Sequence, residues 1–375
     1  MNSLNPQATV ATAEGGGIGL EPPPISRESA PAESLTGAKR VRVRREDLDR
    51  AKGLGIALVV LGHIVARSPP PGDAWFEYVK SGVYQFHMPF FMYLSGYVAF
   101  LTGSARASPD TWLALFARRA VRLLVPFLIV GLLIAGGKAA LGSYLHIDNP
   151  ADAGLADVIN LVWHTDRSVA LSIWYMAVLF ILSCLTPMFL WVLRGNSLAL
   201  LGIAAVLYCL PIPPIAYLDR AATYFIFFVI GGLAADAGER WLRAMDRNVT
   251  VSLIALLALV AGTLVIYAQG ELSYAGISLL VCGIVSMPAL HGLMRKSPWS
   301  SSRTLLTLGA FSFVIYLLNT PCIGLAKALM WKVAPWDGLN FLIYAPVLLA
   351  AGILLPIAIK VWMLRRAPVL DRMTQ

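Results

Sequence analysis

Apolar runs of about 20 residues, separated by segments that hold most of the arginines and lysines, recur from residue 53 to residue 364. At about 1.5 Å of rise per residue, a helix of that length crosses a hydrocarbon layer of about 30 Å. Backbone groups in lipid must be satisfied within the segment, so runs of this kind become helices. The chain is 58% hydrophobic and 14% charged, with mean hydropathy +0.69, whereas soluble chains carry about 25% charged residues. The expected fold is an all-α polytopic membrane bundle of ten spans: 53–67, 81–102, 120–140, 169–192, 198–213, 221–237, 249–268, 273–292, 305–328 and 338–364.

Residues 1–38 are rich in Gly, Pro, Ala, Ser and Glu, and are expected to form a disordered tail. They lack the basic-then-apolar pattern of a secretory signal. The membrane domain is placed at 39–366 and a short C-terminal tail at 367–375, with no soluble domain after the last span. With the N-terminus inside, 22 basic residues fall on inner segments. Seven fall outside: Arg67, Lys80, Lys138, Arg167, Arg220, Lys327 and Lys332. That asymmetry predicts both termini in the cytoplasm. It also accounts for the net charge of +9 without nucleic acid, since no aromatic-plus-basic module is visible. The four cysteines are widely spaced within spans, which supports neither a metal site nor a disulfide framework. The segment 141–168, acidic and external in this topology, reads as a connector or as a lid over the outer face.

Two histidines lie in the first two runs, and an ionisable group inside a span is a functional candidate by default. His63 stands eleven residues after Lys52, a rise of roughly 16 Å, which puts it near the midplane of the first span. Gly53, Gly55 and Gly62 would let a helix or a ligand approach closely there. His63 is a candidate general base, the alternative being a core histidine bonded to a neighbouring helix. His87 lies in Phe86-His87-Met88-Pro89, where the proline predicts a kink at about the same depth. Arg118, Arg119 and Arg122 open the third span at its inner mouth, level with Lys52. They suit an anion such as a phosphate, or serve as topology anchors. Ser95, Trp174, Tyr175, Tyr316 and Asn319 are candidates to line a cavity or an acceptor site, although small-residue packing and an interfacial aromatic belt explain the first three as well.

These segments, in order, resemble the acyltransferase-3 family of integral membrane O-acyltransferases, in particular its fucose 4-O-acetyltransferase-like branch. The matching stretches are Arg45…Asp49-Arg-Ala-Lys52-Gly…Gly62-His63, Phe86-His87-Met88-Pro89-Phe90…Leu94-Ser95-Gly96-Tyr97, Arg118-Arg119…Arg122-Leu…Pro126-Phe127, Trp174-Tyr175 and Ser312…Ile315-Tyr316-Leu317. The resemblance implies transfer of an acyl group, most often acetyl, from acetyl-CoA or another acyl-CoA to a hydroxyl of a carbohydrate or lipid-linked glycan. It implies a bacterial inner membrane location and a role in cell-surface or exported glycan synthesis. It places the essential histidine on His63, its basic partner on Lys52, the second-motif histidine on His87 and the basic third motif on Arg118, Arg119 and Arg122. Asn319 departs from the family, which commonly has a histidine there, and the esterase-like domain of some relatives is not seen.

The chemistry is compatible with this reading. A thioester needs no metal and no permanently bound cofactor, given a base for the acceptor proton and donors for the tetrahedral oxyanion. Acyl-CoA is then a co-substrate whose phosphates meet the basic cluster. Direct transfer and an acyl-histidine intermediate both remain open. A transporter of a glycan or lipid-linked intermediate would share the topology and the kinked helices, but would not depend on a thioester.

Overall fold

A computed structural model describes residues 45–65, 72–142, 155–168, 170–270, 275–335, 337–366 and 371. The expected tails apart from Asp371, the first part of the basic cluster and much of the 141–168 segment lie outside the described residues. From Arg45 onward the chain is one unit.

Its helices, in chain order, are α1 (Glu46–His63), α2 (Trp75–Tyr84), α3 (His87–Leu101), α4 (Trp112–Arg119), α5 (Val125–Leu141), α6 (Leu155–Val162) and α7 (Trp174–Val192). They continue as α8 (Ser197–Cys209), α9 (Leu218–Ala237), α10 (Glu239–Ala268), α11 (Ala275–Arg295), α12 (Arg303–Ala310), α13 (Ser312–Met330) and α14 (Gly338–Trp362). Among the described residues, seven helical stretches are long and apolar enough to cross a membrane: Pro109–Ala140, Leu171–Val192, Leu218–Ala237, Glu239–Ala268, Gly276–Arg295, Ser312–Met330 and Gly338–Arg366. The other three expected spans take different forms. The first is the 18-residue α1, whose opening turns are charged; the second is split into α2 and α3; the fifth is the 13-residue α8. On α10 the apolar side chains of Val251, Ile254 and Leu257 are exposed, which marks a face turned to lipid.

Prolines explain two departures from the expected spans. The kink expected at His87 is a full break, because Pro89 falls in the first turn of α3, where its missing N–H leaves no bond unmade. Pro126 cannot donate to the Arg122 carbonyl four residues back, and the chain widens into a π-helical turn over Ala120–Leu124 between α4 and α5. The ninth span is also divided, at Phe311 between α12 and α13.

Helices α1 and α3 lie at the centre, each fixed by a reciprocal pair of glycines. A Cβ on Gly96 of α3 would collide with the Phe228 carbonyl, and one on Gly231 of α9 with the Tyr93 carbonyl. Gly53 of α1 meets the Leu305 carbonyl, and Gly309 of α12 meets the Asp49 carbonyl. Backbones this close are the usual way membrane helices gain packing energy. The glycines expected to admit a helix or a ligand beside His63 are thus covered by protein. The backbone of α12 lies on Gly53, the Phe91 ring on Gly55 and the Tyr84 ring on Gly62.

Candidate active site

A cavity of ≈ 210 Å³ opens between α1, α3, α7, α13 and the α4–α5 junction, with Lys52, Arg119 and Arg122 all on its wall. Arg119 and Arg122 are three residues apart and share a helix face. Arg119 bonds the Ser104 hydroxyl at 3.1 Å, which marks the basic end of the cavity as the C-terminal end of α3. Arg122 is exposed at the mouth, and Lys52 is half-buried with its ammonium 3.4 Å from Asp49. Arg118 points away: it is exposed and does not line the cavity.

The far end is aromatic and hydroxylic. Ser95 Oγ and Tyr175 OH are 2.5 Å apart, and both residues line the cavity. Tyr175 lies in the first turn of α7, where backbone N–H groups lack helical partners. Its N–H donates to Tyr316 OH at 3.1 Å, and that hydroxyl donates to the Ser172 carbonyl at 2.9 Å. The Phe91 ring stands edge-on to Tyr175 (centroids 5.8 Å apart), and Tyr175 to Tyr316 (5.4 Å). Cations at one end and hydroxyl donors at the other suit a long anionic molecule with a reactive carbonyl at its tip.

The two histidines are close together but lie off this wall. Eleven residues are just over three helical turns, so His63 and Lys52 project from one face of α1. His63 is the last residue of α1. It is half-buried, with no hydrogen bond to another described residue. His87 is buried, and its Nδ1–H donates to the Val83 carbonyl at 2.8 Å. That bond leaves Nε2 with the lone pair when the ring is neutral. Tyr84 connects the two residues: its ring lies 4.9 Å from that of His87, and its hydroxyl donates to the carbonyl of Gly62. Met88, next to His87, and Phe91, one turn on, line the cavity, so the histidines stand just beyond its aromatic end.

Of the five residues expected to line a cavity, Ser95, Tyr175 and Tyr316 do so. Trp174 packs 4.8 Å from Tyr224 with the Arg220 guanidinium over its ring, outside the cavity. Asn319 is fully buried, and its amide donates to the Ile315 and Tyr316 carbonyls of its own helix at 2.9 and 2.8 Å. Satisfied in this way, it has no acid or base role.

A second polar cluster was not foreseen from the sequence. The Asp47 carboxylate accepts from Arg45 Nε and Nη2 at 3.1 and 2.9 Å and from Arg295 at 3.1 Å, and lies 3.5 Å from His291 Nε2. His291 Nδ1 bonds Tyr93 OH at 2.9 Å, and Tyr93 OH also accepts from Trp241 Nε1 at 2.8 Å. Burial alone would raise the Asp47 pKa, but the neighbouring His291 ring and the hydrogen bonds from Arg45 outweigh it and hold the carboxyl well below the usual carboxylate range. A histidine inside the eighth predicted span was the available signal; its partners are about 200 and 250 residues away.

A family model described as an acyltransferase domain matches residues 45–361. Nodulation protein NolL of Sinorhizobium fredii (strain NBRC 101917 / NGR234) is 29% identical over 241 residues, which cover 60% of this chain. The match spans 56% of that relative's own length. No solved structure matches the chain.

Proposed function

The chain belongs to the acyltransferase-3 family, and on that footing we propose that it transfers an acyl group, most often acetyl, from acyl-CoA to a carbohydrate hydroxyl. The observation that carries the donor assignment is the convergence of Lys52, Arg119 and Arg122 on one cavity that ends at the Ser95–Tyr175 hydroxyl pair. The cations receive the phosphates of CoA, and the pantetheine arm lies along α3 toward Ser95. In the ten-span topology that basic mouth faces the cytoplasm, where acyl-CoA is made, and the protein resides in the bacterial inner membrane. The acceptor is a sugar or lipid-linked glycan approaching from the other side, on its way to the cell surface or export.

In the reaction, a base takes the proton of the acceptor hydroxyl and the freed oxygen attacks the thioester carbonyl. The carbon–sulfur bond then breaks and CoA leaves as the thiol. His63 is assigned as that base, with Lys52 on the same helix face as its cationic partner and His87 beside it. The Ser95–Tyr175 pair is placed to donate to the oxyanion.

The test is transfer of radiolabelled acetyl from acetyl-CoA to a polysaccharide or sugar acceptor by the purified full chain in lipid nanodiscs, read as label on the glycan. Label on the glycan together with released CoA is the expected result. Movement of the glycan across a membrane without thioester consumption would instead make the protein a transporter.

A further inference from the structure

The aromatic end of the cavity is rigid, and its shape bears on which acyl groups can enter. Phe91 has Gly55 of α1 at its back, where even a single added methyl carbon would press into the ring. In front it meets Tyr175, edge-on at 5.8 Å. Tyr175 cannot retreat, because its hydroxyl is bound to Ser95 and its backbone N–H to Tyr316, itself tied to the Ser172 carbonyl. Phe91 offers no proton and no hydrogen bond, so its contribution at this site is its shape.

The volume points the same way. At ≈ 210 Å³ the cavity is smaller than the ~300–1,000 Å³ of pockets that enclose a drug-sized ligand. A nucleotide stays outside among the basic side chains, and a thin arm with a short tip fills the interior. From Ala99 to Met88, both on the wall, the cavity follows α3 for eleven residues, about 16 Å, and Phe91 stands on that wall one turn past Ser95. A carbonyl next to Ser95 then has its alkyl tail directed at Phe91, one helical turn away.

We propose that Phe91 is the residue that sets the acyl chain length this protein accepts, its ring, held between Gly55 and Tyr175, narrowing the cavity one turn past Ser95 so that a two-carbon acyl group fits and a four-carbon group does not. The inference rests on the acyl-CoA reading above. An apolar site without an end wall would bind each added methylene about fourfold more tightly. A site with a fixed wall reverses that order, and a single methylene misfit in such a pocket is worth about 10–200-fold.

The experiment is calorimetric titration of the full chain in nanodiscs with acetyl-, propionyl- and butyryl-CoA, with free CoA as reference. Wild type should bind butyryl-CoA at least about tenfold more weakly than acetyl-CoA. Phe91→Leu should narrow the gap, and Phe91→Ala should invert it so that butyryl-CoA binds more tightly. Gly55→Ala, which drives the ring into the cavity, should widen it. These are ratios between ligands on one protein sample, so a general loss of stability does not produce the reversal, and Phe91→Leu serves if Phe91→Ala fails to fold. Donors that bind with a butyryl-to-acetyl ratio unchanged across these variants would overturn the gauge and leave the acyl-CoA reading intact. Failure of wild type to bind any of the three, or free CoA, would overturn that reading and the gauge with it.

Discussion

Lys52 and His63 project from the same face of α1, about three turns apart, and only Lys52 reaches the cavity wall. In the proposed reaction the cation and the imidazole serve opposite ends of one path, donor binding at one and proton removal at the other. Replacing His63 with Ala should lower acyl transfer by about two to four orders of magnitude, the usual scale for loss of a general base. The amount of protein in the membrane should be unchanged, since the ring holds no hydrogen bond to a described neighbour. His63→Asn keeps polarity but cannot accept a proton at neutral pH. An Asn variant with wild-type rates would move the base to His87.

The two arginines on the cavity and the one off it should separate in kinetics. Arg119→Ala with Arg122→Ala should raise KM for acetyl-CoA by at least about tenfold, as expected for two charged hydrogen bonds to phosphate. Added salt should raise the wild-type KM in the same direction by screening. Arg118→Ala should leave KM alone, because that side chain is exposed away from the cavity. Equal KM values for all three proteins would return the basic cluster to topology anchoring.

Asp47 gives the fold a pH dependence of defined sign. Its carboxyl titrates lower in the folded protein than the unfolded value near 3.9. The stabilisation is therefore complete above about pH 4 and is lost as pH falls toward the folded value. Asp47→Asn should cost about 1–3 kcal/mol at neutral pH by leaving Arg45 and Arg295 without their shared carboxylate. Thermal unfolding of wild type and variant across pH 3–7 should show two curves that approach each other only at the acid end. A gap that stays constant to pH 3 would count against the assignment.

The glycine contacts predict where packing fails first. Gly231→Ala should destabilise the protein by at least about 1–3 kcal/mol, since its methyl group meets the Tyr93 carbonyl with no room to rotate away. Gly202→Ala, on α8 with nothing within 4 Å, should be neutral or slightly stabilising. Differential scanning fluorimetry in detergent distinguishes the two, and equal melting temperatures would show that α3 and α9 can separate to accept the methyl group.

Hydropathy and ordered motifs made the helical membrane class, the family and most of the cavity legible in the sequence. Lys52, Ser95, Arg119, Arg122, Tyr175 and Tyr316 come from five segments and share one wall. Local reasoning failed where tertiary partners decide. The Asn319 amide is consumed by its own helix, Trp174 is covered by Arg220 and Tyr224, and Asp47 and His291 meet across 244 positions of chain. Helix ends were misjudged for a related reason. An apolar run does not reveal that Pro89 starts a helix instead of bending one, or that a charged turn at Glu46 begins α1. Phe91, an apolar residue in an apolar run, carries no sequence signal of its own, and its place is marked only by Gly55, which it packs against.

The reciprocal glycine pairs also allocate freedom of movement. With α3 joined to α9 and α1 to α12 through direct backbone contact, the carriers of Lys52, His63, His87 and Phe91 form a fixed frame. A passage that unites the acyl carbonyl with an acceptor hydroxyl would then come from the opposite bank, by a shift of the widened Ala120–Leu124 turn. In the proposed reaction, movement is therefore expected of one wall against a stationary one.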